Sequence, residues 1–381
     1  MDELWHSLKT NPYSGWLSLS DTQGSGLPKL DASHRVIWVG IGGSLLPADA
    51  LVRMFSTSDQ LSRWVILSSP EGLESFRLQY DDQVVFASKS GNTMELWYWI
   101  GKIIRMPIFD QLEQSPIVIT ELNDNPLHKL AKKQKWITVN LPQNIGGRYS
   151  VFSPIGYLPL TWINKEVRAF TQGGKDVVKQ LDEQEGPWFN AVSDLYTLWT
   201  QNYMRGISDW VFMPYSRQLK FLGGWWTQLV SESLGKKASD GTPRGITPIR
   251  AVGPQDQHAQ LQRWLDGPKN VGVIFLSAKE QKFDFPISVQ PPSSPYPFLS
   301  TCSGGDILRA QIQGTESSLQ EAGVPTYRME IPILDEAHLG ALMMTWQIVV
   351  ALVGLGLEIN PFDQPAIEAG KQKTLDKLRL S

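Results

Sequence analysis

Short, almost unbroken apolar runs recur along the first 165 residues: RVIWVGI at 35–41, WVILS at 64–68, QVVFAS at 83–88, PIVIT at 116–120 and WITVN at 136–140. Val, Ile and aromatic residues dominate them. That pattern predicts strands buried on both faces, and therefore a parallel sheet covered by helices. Stretches of helical period lie between them, such as TMELWYWIGKII at 93–104. Residues 171–205 are more continuously helical and predict the entry to a second unit. That unit repeats the alternation, with strands DWVFMP (209–214), ITPIRAV (246–252), NVGVIFL (270–276) and TYRMEIP (326–332) and helices near 217–234, 257–266 and 304–321. A Pro- and Ser-rich stretch at 285–298 predicts a loop, and DQPAIEAGKQKTLDKLRL one last helix.

One segment breaks the pattern. LGALMMTWQIVVALVGLGL (339–357) carries no charge and is long enough to span a bilayer. Thr345 and Gln347 near its middle, three glycines, and no Lys/Arg cluster at either end favour a helix buried on all sides of a large domain.

Length and composition narrow the class. The 381 residues suggest two domains. The expected division is 1–170, a first α/β domain with an N-terminal arm, 171–355, a second α/β domain, and 356–381, a C-terminal helix. With 41% hydrophobic and 19% charged residues, global disorder is excluded. The 35 basic residues against 38 acidic argue against an electrostatic nucleic-acid binder. Cys302 is the single cysteine, which excludes an intrachain disulfide and a cysteine-based zinc site. Among the five histidines no pair forms HxxxH or HExxH, so no metal is expected. The opening MDELWHSLKT lacks a basic start followed by an apolar stretch, so no signal peptide is expected there. The expected compartment is the cytoplasm, with no membrane partner.

Six short motifs carry candidate chemistry. VGIGGS (39–44) follows a strand, and its small residues, with Gly43 and Ser44 at the end, let backbone approach a ligand ahead of a helix N-terminus. A dinucleotide fingerprint would need glycine where Leu45 stands, so a nicotinamide cofactor is not indicated. SKSGNT (88–93) also sits between strand and helix, and Ser88, Lys89, Ser90 and Thr93 around a Gly-Asn turn suit a phosphate. An ordinary loop capped by Thr93 is the competing reading. In NIGGRYS, Arg148 follows Gly146 and Gly147 and offers a planar donor fork to an oxyanion, or else a structural ion pair. In WWTQLVSESLGK, Gln228 and Glu232 are four apart and share a helix face at the edge of a Trp-rich stripe. A carboxylate there can serve as a general base, or simply pair with a cation at the boundary. His258, in DQHAQLQ, could supply acid–base chemistry near neutral pH or lie on the surface. INPFDQPAIEAGK puts Gln364 and Lys371 on one face of an amphipathic helix.

Taken together and in this order, GIGGS, SKSGNT-E, GGR-S, Q-x-x-x-E-S-x-G-K, Q-H and INPFDQP-x-x-E-x-GK resemble the glucose-6-phosphate isomerase (phosphoglucose isomerase) family from about Val36 to Lys371. The resemblance implies two doubly wound, mostly parallel sugar-isomerase (SIS) domains in tandem, each three layers deep (αβα). It implies reversible conversion of glucose 6-phosphate and fructose 6-phosphate through an enediolate, without metal or organic cofactor. Ser44, Ser88, Lys89, Ser90 and Thr93 would hold the phosphate, Gly43 would also belong to the substrate site, and Arg148, with Gly147 beside it, would stabilise the enediolate oxygen. Gln228 would position substrate and Glu232 would move the proton. Gln364 and Lys371 would close the site, and His258 would assist ring opening from the partner subunit of a homodimer. Two alternatives stay open: a dual phosphoglucose/phosphomannose isomerase, and a non-catalytic phosphosugar-sensing SIS protein. The chain departs from the family pattern in its short stretch before GIGGS and in Leu45-Leu46 after it.

Overall fold

The computed structural model describes residues 1–20, 22, 24–71, 76–280 and 293–379. A short helix, α1 (Asp2–Lys9), precedes the first α/β unit. Its strands are β1 (Val36–Val39), β2 (Trp64–Leu67), β3 (Gln83–Ala87), β4 (Ile117–Thr120) and β5 (Ile137–Asn140). Helices α2 (Leu46–Phe55) and α3 (Ser58–Ser62) join β1 to β2, α4 (Met94–Ile103) joins β3 to β4, and α5 (Pro126–Gln134) joins β4 to β5. All pairings are parallel, in the order β2-β1-β3-β4-β5. Alternate side chains feed two cores. Trp38, Val85 and Ile119 enter the large core shared with α2, while Ile37, Val39, Phe86 and Val118 enter a second one beneath α4 and α5. Burial on both faces is why β1, β3 and β4 read as unbroken apolar runs, whereas the edge strands β2 and β5 are partly exposed.

Helices α6 (Pro154–Trp162), α7 (Val167–Glu183) and α8 (Pro187–Tyr203) lead out of this unit, and α7 runs through residue 170. The second unit begins with β6 (Asp209–Pro214) and α9 (Leu222–Leu234), followed by a small antiparallel ribbon of β7 (Lys236–Lys237) and β8 (Pro243–Arg244). Then come β9 (Thr247–Arg250), α10 (Leu261–Asp266), β10 (Val271–Ala278), α11 (Gly304–Glu321) and β11 (Thr326–Ile331). The second sheet is also parallel, in the order β11-β10-β6-β9. The 217–234 helix expected from sequence starts at Leu222, after a 3-10 turn at Leu219–Phe221, and the one at 257–266 is shortened to α10. Of the expected loop at 285–298, residues 285–292 lie outside the described residues; the rest is irregular until a 3-10 turn begins at Pro297.

The uncharged segment forms most of α12 (Glu336–Gly356), and every residue from Leu339 to Gly354 is buried. It is a core helix packed on α7, α8 and α9. Its closest neighbour is α7: a Cβ on Gly340 would lie 1.9 Å from the Phe170 carbonyl oxygen, and one on Gly173 would lie 1.8 Å from that of Ala337. The backbones touch, so both positions require glycine. Helix α13 (Pro365–Arg379) ends the described chain.

Candidate active site

In the first sheet the chain leaves β1 toward β2 and leaves β3 in the opposite direction, toward β4. Such a switch point opens a crevice at the carboxyl ends of the two strands, the usual ligand position in an open α/β sheet. Two candidate loops flank it. The first is a 3-10 turn at Gly42–Ser44, and the second runs from Ser88 to Thr93.

In the second loop, Gly91 adopts φ +66°, and its amide donates to Ser88 Oγ at 3.2 Å. Ser88 Oγ also pairs with Thr93 Oγ1 at 3.0 Å. Thr93 therefore occupies the N-cap position of α4 without capping it, and among the described residues no side chain caps that helix start. Uncapped amides at the positive end of a helix suit an anion. Ser90 is exposed, and its Oγ accepts from the Asn92 amide. The Lys89 ammonium donates to the Gln143 carbonyl at 3.0 Å and pairs with Glu121 at 3.3 Å.

The 42–44 turn meets the 3-10 helix Gly147–Phe152, again backbone to backbone: a Cβ on Gly43 would fall 2.3 Å from the Gly147 carbonyl. Ser150 Oγ donates to the Gly43 carbonyl at 2.9 Å, and Ser44 lies partly exposed at the end of the turn. Helix α9 of the second unit packs on both segments and on α2, so the two units meet here.

Arg148, Gln228, Glu232 and Gln364 come together at this junction. The Arg148 side chain is 3% exposed and its Nη1 lies 3.5 Å from Glu232 Oε2, whereas Glu232 is 26% exposed. Glu232 Oε1 accepts from Gln228 Nε2 at 3.0 Å, as the four-residue spacing on α9 requires. The remaining guanidinium protons go to Ser233 Oγ (2.8 Å), Gln364 Oε1 (3.1 Å), and the carbonyls of Pro361 (2.6 Å) and Asp363 (2.8 Å). Gln228 Oε1 is buried with no hydrogen-bond partner among the described residues. The buried Tyr149 hydroxyl pairs with Ser233 Oγ at 3.2 Å, and burial pushes its pKa up.

Two expected residues stand apart. His258 ends a 3-10 turn, exposed, and its ring makes no hydrogen bond or ion pair among the described residues. Lys371 lies on α13, where it is exposed. Ser233, Tyr149 and Lys236 belong to the cluster but were not singled out from sequence. Ser233 and Lys236 are the S and K of the E-S-x-G-K motif, a signal that was available. No group of three or more metal-ligating side chains occurs among the described residues.

Two doubly wound parallel sheets in tandem, with a phosphate-type loop at one switch point and a carboxylate–guanidinium pair at their junction, define the class of the sugar-phosphate isomerases. The model of the phosphoglucose isomerase family matches residues 29–284, and the chain belongs to that family. The glucose-6-phosphate isomerase of Methanocaldococcus jannaschii is 30% identical over 353 residues, 90% of this chain and 84% of that one. Among solved structures, a hypothetical protein of Thermus thermophilus superposes with a TM-score of 0.87 at 26% identity, covering 99% of this chain and 94% of its own. The glucose-6-phosphate isomerase of Chlamydia trachomatis shares the fold at a TM-score of 0.72 and 20% identity, over 99% of this chain and 73% of its own.

Proposed function

We propose that the chain interconverts glucose 6-phosphate and fructose 6-phosphate through an enediolate, with Glu232 as the base that carries the proton between C1 and C2. The observation that carries this is the placement of the Glu232 carboxylate between the Gln228 amide and the Arg148 guanidinium. On the open-chain aldose, Glu232 takes the C2 proton. The C–H pair forms the C1–C2 double bond, and the carbonyl pair moves onto O1. Return of the proton to C1, with loss of the O2 proton and gain of one at O1, gives the ketose. Negative charge on the enediolate oxygens needs a fixed cation, and Arg148 supplies it; one such group contributes ~3 kcal/mol, about a hundredfold in rate.

Arg148 has five N–H donors, and each already faces an oxygen. The longest of these contacts is to Glu232. A substrate oxygen that takes this donor stabilises the enediolate and releases Glu232 for proton transfer in the same event. The unpartnered Gln228 Oε1 accepts a sugar hydroxyl.

The phosphate lies on the uncapped start of α4 among Ser44, Ser88, Ser90 and Thr93, and Lys89 swings from Gln143 to meet it. Gly43 and Gly147 keep the loops close enough to enclose the sugar. His258 opens the ring from the partner subunit of a homodimer, and Gln364 and Lys371 close the site. The reaction runs in the cytoplasm, as a step of glycolysis and gluconeogenesis, and needs no metal. Turnover of fructose 6-phosphate with EDTA present, followed by sizing in solution, tests this. Full activity from a dimer is expected. Binding of the phosphosugar without turnover would instead identify a sensor.

A further inference from the structure

We propose that Lys236 is a positioning residue of this site: it holds the 360–364 turn against Arg148, so that Arg148 and Gln364 face Glu232 in a single arrangement. The proposal rests on the isomerase reading for its kinetic consequence but not for its geometry.

The Lys236 side chain is 9% exposed. Its ammonium donates to the Asn360 carbonyl at 2.6 Å, to the Asp363 carbonyl, and to Asp363 Oδ1 at 2.9 Å. An ammonium has three protons, and all three point at one turn. None is left for a substrate, which separates positioning from direct catalysis. The Asp363 carbonyl also accepts from Arg148 Nη2, so the two cations share one oxygen. Pro361 supplies Arg148 with a second carbonyl, and Gln364 supplies its side-chain oxygen. The turn therefore fixes the guanidinium, and Lys236 fixes the turn.

The ribbon of β7 and β8 explains how the lysine reaches this place. Lys236 and Arg244 stand opposite each other in it. Arg244 grips the preceding segment, donating to the Leu357 carbonyl at 2.6 Å and pairing with Glu358 at 3.3 Å. One ribbon thus delivers two cations to the link between α12 and α13, but only Lys236 touches the part that holds Arg148.

The test uses the full chain with Lys236→Met, Lys236→Arg and Arg244→Gln, read by fructose 6-phosphate kinetics and by amide hydrogen exchange over residues 358–379. Lys236→Met is expected to lower kcat by roughly ten- to a hundredfold with KM changed less than about threefold. Exchange at 360–364 should quicken about tenfold. Lys236→Arg should recover part of kcat. Arg244→Gln should lower the thermal midpoint while kcat stays within about twofold. Because Lys236 acts through Arg148, Lys236→Met on an Arg148→Lys background should cost less than about threefold more. Should Lys236→Met not fold, Asp363→Asn loosens the same grip more gently, with a smaller shift in the same direction. Unchanged kcat and exchange would overturn the proposal, as would a loss that multiplies fully onto Arg148→Lys. A wild-type chain without turnover, whose 360–364 exchange still quickens in Lys236→Met, would sink the isomerase reading while supporting the grip on the turn.

Discussion

Arg148 is the residue on which most of the site's geometry depends. A nearly buried guanidinium is tolerated only when its protons are matched, and here five oxygens from two separate segments, α9 and the 361–364 turn, do so. The pattern requires a planar fork, which a lysine cannot reproduce. Arg148→Lys should therefore lower kcat for fructose 6-phosphate about a hundredfold or more while the chain still folds; steady-state kinetics with circular dichroism check this, and a loss below tenfold would show that charge alone suffices. Gln228, Glu232 and Gln364 were legible in sequence because helix spacing and motif order mark them. The carbonyls of Pro361 and Asp363 were not, since a backbone acceptor leaves no residue signature and these contacts span more than 200 positions. Lys236 stood in its motif, but nothing local says that it reaches residue 363.

At the scale of elements, the strands were the most legible part. Burial on both faces imposes the apolar runs of β1, β3, β4, β6 and β10, while the edge strands β2, β5, β9 and β11 are more exposed and were read from their β-branched and aromatic residues. The β7–β8 ribbon escaped, because two-residue strands carry no periodicity. Helix α12 was readable in length but ambiguous in setting, because burial all round erases amphipathic patterning and imitates a membrane span. Its contact with α7 gives a test whose sign is diagnostic. On an exposed helix, Gly→Ala stabilises by ~1 kcal/mol. At Gly340 the added methyl would sit 1.9 Å from the Phe170 carbonyl oxygen, and overpacking of this kind costs about 1–3 kcal/mol. Gly340→Ala should lower the urea midpoint; a raised midpoint would mean that the two backbones are not in contact.

At the scale of the whole molecule, neither α/β unit contains the site alone. The first contributes the loops at the carboxyl ends of β1 and β3 and the segment bearing Arg148; the second contributes α9 with Gln228 and Glu232, and the chain after α12 contributes Gln364. The motifs were visible singly along the chain, but their convergence is a property of packing between units, which local sequence does not encode. The family match covers residues 29–284 and includes both halves of the Arg148–Glu232 pair. That pair is where the proposed chemistry can be tested without depending on the subunit arrangement. Glu232→Gln keeps the side-chain volume and the reach to Gln228 but abolishes the base.

The direct measurement follows solvent deuterium into C1 and C2 of the sugar phosphate, together with phosphosugar affinity, in the wild type and in Glu232→Gln. Exchange and turnover reduced by about a thousandfold, with affinity held within a few-fold, is the expected result. Exchange within tenfold of the wild type would assign the proton to another group, and loss of affinity in parallel with turnover would leave Glu232 a structural partner of Arg148.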